Sequence, residues 1–322
     1  MIEKRALGNS GISIAPLMFG GNIFGWTVDK AKSFEILDAF VDRGFDAIDT
    51  ADVYLQLAEG GVGTSERVIG EWVKARGNRD KVVIATKLGM PMANGKRGLS
   101  RGYMVEAVEA SLQRLQTDYI DLYQAHSDDD RTPQEEVAET FDLLVKQGKV
   151  RAIGASNFSA DRLRSALDVS AEKGVTAYAT LQPLYNLFDR DDFEAELQPL
   201  CAERGVAVIP FFSLASGFLT GKYRSRDDME LSKRGAIVEK YLTDAGIDLL
   251  SVMDGIAVKH QASNAQIAIA WLLAQPTIAA PIASATGVAQ LDQLAGALTI
   301  KLDADDLARL DAARVYKAPA PA

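Results

Sequence analysis

A single cysteine, Cys201, stands in the 322 residues, so no disulfide can form within the chain. Two histidines, His126 and His260, far apart and with no cysteine cluster near them, cannot build a typical zinc site, and no metal is expected. Basic charge is also scarce. Thirty-five Lys and Arg face 44 Asp and Glu, leaving a net charge of −9, which disfavours the clustered cations a nucleic-acid partner requires. The first residues, MIEKRALGNSG, hold no apolar run of the signal-peptide kind, so a reducing cytoplasm is the expected location. Long hydrophobic runs are missing as well. Ala262 to Leu291 carries no charge, but Pro276 and Pro281 interrupt it. Ile267, Ala270, Trp271 and Ala274 recur there at helical spacing, so a core helix followed by a short buried strand is expected, not a membrane span.

What the chain does contain is an alternation. Short runs rich in Val, Ile and aromatics at 17–21, 47–51, 82–87, 120–126, 150–157, 177–182, 206–212 and 278–284 read as strands. Amphipathic segments at about 29–43, 65–76, 101–115, 133–147, 159–173, 190–204, 263–275 and 287–298 read as helices. Asp29, Ser100, Thr132 and Ser159 suit helix N-caps, with Pro133 in a first turn, and Gly44, Gly148, Gly174 and Gly205 suit helix ends. Lys4 to Ile14 predicts a hairpin around Asn9-Ser10-Gly11 that plugs the floor of the sheet. Asp303 to Val315 predicts one more helix, and Ala318-Pro-Ala-Pro-Ala a frayed tail. With no interdomain linker and no Gly-rich dinucleotide fingerprint after the first strands, the expectation is an α/β (β/α)8 TIM barrel spanning 1–322 as one domain.

In such a barrel, chemistry gathers at the C-terminal ends of the strands. The second strand ends in Asp49, the third in Lys87 and the fourth in His126. Their separations of 38 and 39 residues each equal one βα unit, which sets the three side by side. Tyr54, five residues beyond Asp49, can fold back over them. A neighbouring ammonium favours a phenolate, so Lys87 is expected to lower the Tyr54 pKa and make it a usable acid. Asp49 would hold Lys87, and His126 would orient a substrate oxygen. Taken singly, Asp49 reads equally well as a cap or ion-pair partner, and Lys87 as a solvated strand end. His260 reads as a solvated side chain. Phe24 and Trp26, after the first strand, are expected to face the pocket; Trp72, Trp271 and Cys201 are expected in the core.

The runs Asp49-Thr-Ala-Asp-Val-Tyr54, Ile84-Ala-Thr-Lys87, Asp118-Tyr-Ile-Asp-Leu-Tyr-Gln-Ala-His126 and Gly154-Ala-Ser-Asn157 together resemble the signatures of the aldo-keto reductases. The likeness runs from Lys4 to about Leu294 and is greatest to the bacterial branch that includes homologues of potassium-channel β subunits. It implies that Tyr54 is the general acid, Lys87 its modulator, Asp49 the partner of Lys87 and His126 the substrate orienter. It implies that Ser156, Asn157 and Gln182 hydrogen-bond a nicotinamide carboxamide, with Phe212 against the ring. The 72-residue interval from Phe212 to Ser284 opens with Ser213-Leu-Ala-Ser-Gly-Phe-Leu-Thr-Gly-Lys222 and resembles the family's cofactor-covering loop. Ser213, Leu214, Gly217, Leu219, Gly221 and Lys222 would contact the cofactor there, the two glycines letting amides approach a pyrophosphate. Ser284, Thr286 and Gln290 would meet it after the last strand, where relatives that prefer NADPH usually carry Arg or Lys and this chain carries Thr286. The loop from Leu55 to Gly63 departs from the family's shorter form.

The expected activity is reduction of a small-molecule aldehyde or ketone with NADPH, NADH being possible. Two alternatives stay open: an aldolase using Lys87 as a Schiff-base nucleophile, and a nicotinamide-sensing regulatory subunit with slow redox chemistry. No membrane is expected, and no particular protein partner is indicated.

Overall fold

The computed structural model describes residues 2–55, 61–231 and 235–315. Eight parallel strands form one curled sheet: β3 (Met18–Gly20), β4 (Ala47–Asp49), β5 (Val83–Leu88), β6 (Ile120–Ala125), β7 (Val150–Ser156), β8 (Thr180–Gln182), β9 (Ala207–Val208) and β10 (Ile282–Ala283). β10 pairs with β3, and the segment before it bridges Ile278 to Val208 of β9, so the ring closes. Around it lie α1 (Lys30–Asp42), α2 (Thr64–Arg76), α3 (Arg101–Leu115), α4 (Gln134–Lys146), α5 (Ala160–Lys173), α6 (Gln198–Arg204), α7 (Gly235–Val238), α8 (Asp244–His260), α9 (Asn264–Ala274) and α10 (Val288–Gly296). A last helix, α11 (Ala304–Ala312), follows. This is the α/β TIM-barrel architecture read from the sequence.

Strand faces explain the closure. Met18, Ala47, Ala85, Leu122, Ala152, Ala207 and Ile282 fill the interior, while Phe19, Ile48, Ile84, Tyr123 and Ile153 pack outward against helices. Alternate residues of a strand face opposite sides, so each strand buries both faces and reads as a continuous apolar run. The hairpin of β1 (Arg5–Ala6) and β2 (Ser13–Ile14) sets Leu7, Ile12 and Ile14 into the same interior cluster and closes the floor. Gly8 is obligatory there: it has φ 55°, and a Cβ on it would stand 2.2 Å from the Ala179 carbonyl oxygen.

Several local expectations change. Asp29 and Ser159 cap α1 and α5 as read, but Ser100 makes no capping bond, and Pro133, not Thr132, occupies the N-cap of α4. Thr132 instead donates to Asp129. No element is expected from the sequence between Lys222 and Ser263, yet α8 lies there, burying Leu249, Leu250, Met253, Ile256 and Ala257 at helical spacing. Gly246 and Gly255 dilute its helix propensity but do not outweigh that stripe. His260 is paired rather than solvated, its Nε2 lying 2.7 Å from an Oδ2 of the fully buried Asp306. Lys259 bonds both Asp303 and Asp306, so two of the three carboxylates gathered at Asp303, Asp305 and Asp306 are already partnered.

The uncharged segment divides into α9 and β10. Among the described residues no helix is long and apolar enough to cross a membrane. The expected tail at 318–322 lies outside the described residues, as do 56–60 of the Leu55 to Gly63 loop.

Candidate active site

β4 and β5 run in register, and at their C-terminal ends Asp49 and Lys87 meet the phenol of Tyr54 from the loop after β4. Lys87 Nζ donates to Asp49 Oδ2 at 2.7 Å, to the Thr50 carbonyl at 2.8 Å and to Tyr54 Oη at 3.0 Å. An ammonium has three protons, and here each meets an oxygen. Lys87 is fully buried rather than a solvated strand end, and Asp49 is almost so. Burial disfavours the charged amine, but the pull of Asp49 and Tyr54 outweighs it and holds the Lys87 pKa above its ordinary value. The lysine is therefore a cation at neutral pH.

For Tyr54 the balance runs opposite to the sequence expectation. Desolvation of the phenol is the larger influence and raises its pKa above the ordinary value, with Lys87 acting against it and Asp49 adding to it. Lys87 moderates the phenol without making it a stronger acid than free tyrosine. His126, just past β6, meets the Tyr54 ring edge-on at 5.9 Å between centroids. Burial, aided by the Lys87 charge, pushes the His126 pKa far down, so its imidazole is neutral; its Nδ1 is buried without a partner among the described residues.

The carboxamide candidates lie along the same rim. Ser156 Oγ donates to the Gln182 carbonyl at 2.8 Å, and Asn157 Nδ2 donates to the His126 carbonyl at 2.8 Å and to Ser156 Oγ at 3.2 Å. Gln182 Nε2 donates to Asp49 Oδ1 at 2.9 Å and to Gln124 Oε1 at 3.2 Å. The side-chain protons of all three are thus committed, and what remains toward a ligand is acceptor capacity. Gln124 is absent from the sequence reading, although it lies inside a run singled out there. An amide two residues before His126, and so on the same face of the strand, was the available signal.

The loop after β9 strings together left-handed residues at Phe212, Ala215, Ser216, Gly217 and Gly221. Phe212 is exposed, and Ser213 is anchored by a bond to the Ile282 carbonyl at 2.8 Å. The amides of Gly217 and Gly221 donate inside the loop, to Leu214 and Phe218 at 2.8 and 3.0 Å, and are not free for a pyrophosphate as expected. Leu214 is partly buried, and Leu219 is fully buried in the core. Ser216 Oγ is buried with no partner among the described residues, and Lys222 Nζ lies 4.9 Å from the Tyr223 ring centroid. After β10, Ser284 Oγ bonds the Gly20 carbonyl and Asn22, while Gln290 accepts from both the amide and hydroxyl of Thr286. Trp26 lies at the exposed rim, but Phe24 is fully buried and stacked on Phe19 at 5.4 Å, a core side chain rather than a pocket wall.

Behind Tyr54 lies a second buried acid. Asp52 Oδ1 has no partner among the described residues, whereas Glu66 is bonded to Arg114 and accepts from Thr86 Oγ1 at 2.6 Å. Burial first, then Glu66, pushes the Asp52 carboxyl up to about 8. A carboxyl whose pKa rises on folding favours the native state below its unfolded pKa and loses that advantage as pH climbs through the folded value. Urea melts should show wild-type stability falling between about pH 4 and pH 8 by up to about 5 kcal/mol relative to Asp52→Asn. Parallel pH profiles for the two proteins would refute an ionising Asp52.

The acceptor capacity left at Ser156, Asn157 and Gln182 suits the amide protons of a nicotinamide carboxamide. Residues 16–315 match the aldo/keto reductase family. Two Bacillus subtilis proteins are each 34% identical: the uncharacterized oxidoreductase YrpG, over 96% of this chain and 95% of its own length, and aldo-keto reductase YhdN, over 95% and 90%. A probable voltage-gated potassium channel subunit beta of Arabidopsis thaliana is 32% identical over 91% of this chain and 90% of its own. With the barrel, the strand-end ion pair and a match over nearly its whole length, the chain belongs to the aldo/keto reductase family.

Proposed function

We propose that this oxidoreductase reduces an aldehyde or ketone with a nicotinamide dinucleotide, Tyr54 giving up the proton. The observation that carries the reading is the buried Lys87 ammonium bonded at once to Asp49, the Thr50 carbonyl and Tyr54. When bound, the dinucleotide supplies the hydride, and Ser156, Asn157 and Gln182 are the residues that would hold its carboxamide. Tyr54, neutral because it is buried, holds its proton until a carbonyl oxygen beside it gains negative charge. Transfer leaves a phenolate 3.0 Å from an ammonium, and that attraction develops only as the proton leaves. His126, neutral and facing Tyr54, can share the oxygen without competing as an acid. Lys87 is a poor Schiff-base nucleophile here, because an amine held protonated has no lone pair to attack a carbonyl. A panel of aldehydes and ketones, assayed with both nicotinamide cofactors, tests the reading: turnover with none of them would favour a slow nicotinamide-sensing role.

The same panel decides cofactor preference. No Lys or Arg occurs between Lys259 and Lys301, so the segment after β10 offers a 2′-phosphate no charged donor. A hydrogen bond to a charged group contributes about 1.5–3 kcal/mol, so discrimination should be weaker by about 10-fold to 150-fold than where arginine is present. NADPH is expected to be used with only a small preference over NADH in kcat/KM. The positive end of α10 still favours an anion, and α1 brings Lys32 alongside: a Cβ on Gly287 would stand 4.0 Å from Lys32 Cε. A preference above about 10³ would show that a basic side chain such as Lys32 or Lys222 makes the contact.

A further inference from the structure

The Asp49 carboxylate, ionised against Lys87, accepts hydrogen bonds and donates none. Whatever atom lies 2.9 Å from its Oδ1 must therefore be the NH2 of Gln182, which fixes which way that amide faces. A single N–H···O contact still leaves the amide plane free to turn. The second proton of Gln182 Nε2 is taken by Gln124 Oε1 at 3.2 Å, while Gln124 Nε2 turns its own proton to Asp49 Oδ1 at 3.4 Å. Carboxylate and two amides close a small ring, and Gln182 Oε1 is left facing away from it as an acceptor. The barrel makes room for this. Gln124 pairs in register with Lys87 on one side and Gly154 on the other, and a Cβ on Gly154 would stand 3.1 Å from Gln124 Cγ and 2.2 Å from Thr180 Oγ1. Gln124 is fully buried, so water does not compete for these bonds.

We propose that Gln124 is a positioning residue: by closing the ring with Asp49 and Gln182 it holds Gln182 as a fixed acceptor for the N–H2 of the nicotinamide carboxamide. The proposal rests on the cofactor reading above and adds a specificity that reading does not require. A cofactor whose carboxamide is replaced by an acetyl group has lost the donor Gln182 accepts from, and should bind more weakly.

The test compares the dissociation constants of NADPH and reduced 3-acetylpyridine adenine dinucleotide phosphate, measured by quenching of protein fluorescence, with no turnover needed. Wild type should favour NADPH by about threefold to tenfold, the span of one neutral hydrogen bond. Gln182→Met should abolish the difference. Gln124→Leu should reduce it below about twofold, with binding of the acetyl analogue little changed. A purely structural loss would weaken both ligands alike and keep their ratio. Gln124→Met serves as the second variant should leucine not fold. If the Gln124 variants keep the wild-type ratio while Gln182→Met loses it, the positioning role is overturned and the cofactor reading stands. If neither cofactor binds, or Gln182→Met keeps the ratio, the carboxamide assignment fails and takes the proposal with it.

Discussion

Tyr54→Phe is expected to slow carbonyl turnover by about 10²-fold to 10⁴-fold, the span for losing a positioned general acid. Phenylalanine keeps the ring that meets His126 and loses only the hydroxyl. Lys87 would retain Asp49 and the Thr50 carbonyl, so the fold should hold and thermal stability should barely change. Cofactor affinity should also be nearly unaffected, since Ser156, Asn157 and Gln182 take none of their bonds from Tyr54. The pH profile adds a separate check. The phenol pKa is raised by burial, so wild type should keep its acid protonated through neutrality and lose activity only at alkaline pH. The residual activity of Tyr54→Phe should lack that alkaline limb. If the variant kept more than about half of the wild-type kcat, with chemistry shown to be rate-limiting, another proton donor would have to be found.

The ion pair was legible because a βα unit repeats: polar residues ending successive strands at nearly equal intervals must be neighbours on one rim. The same logic fails wherever the answer depends on what lies across the barrel. Gln124 sits in plain view two residues before His126, but its partners, Asp49 and Gln182, are 75 and 58 residues away. The sign of the Tyr54 shift is hidden for a related reason: the charge of Lys87 is visible in a sequence, and the desolvation that outweighs it is not. Phe24 and Ser100 fail more locally. An aromatic after a strand end has the right chemistry, but a stacked Phe19 ring decides its use, and Ser100 occupies the N-cap of α3 with extended backbone yet makes no capping bond. At α8 the stripe was present in the sequence and two glycines masked it.

Lys87→Met is expected to impose two penalties that a second substitution can separate. The first is catalytic. Without the ammonium nothing stabilises a phenolate left behind by Tyr54, so turnover should fall by at least about 10²-fold, as when one preorganised electrostatic contact is lost. The second is structural. Asp49 would remain buried beside Gln182 and Gln124, two neutral donors, with no cation to balance its charge. Breaking a buried pair by removing one partner costs about 3–5 kcal/mol, so the variant should also unfold at lower temperature. Replacing the orphaned acid should relieve only the second penalty: Lys87→Met combined with Asp49→Asn should regain part of the lost stability and none of the activity. Melting curves and single-turnover assays of the two single variants and the double resolve the two effects. If the double variant melts no higher than Lys87→Met, the instability comes from packing around the lysine stem rather than from an uncompensated carboxylate. An active Lys87→Met enzyme, insensitive to borohydride in the presence of a carbonyl substrate, would eliminate both the proton-transfer role of the ion pair and a Schiff base at this lysine.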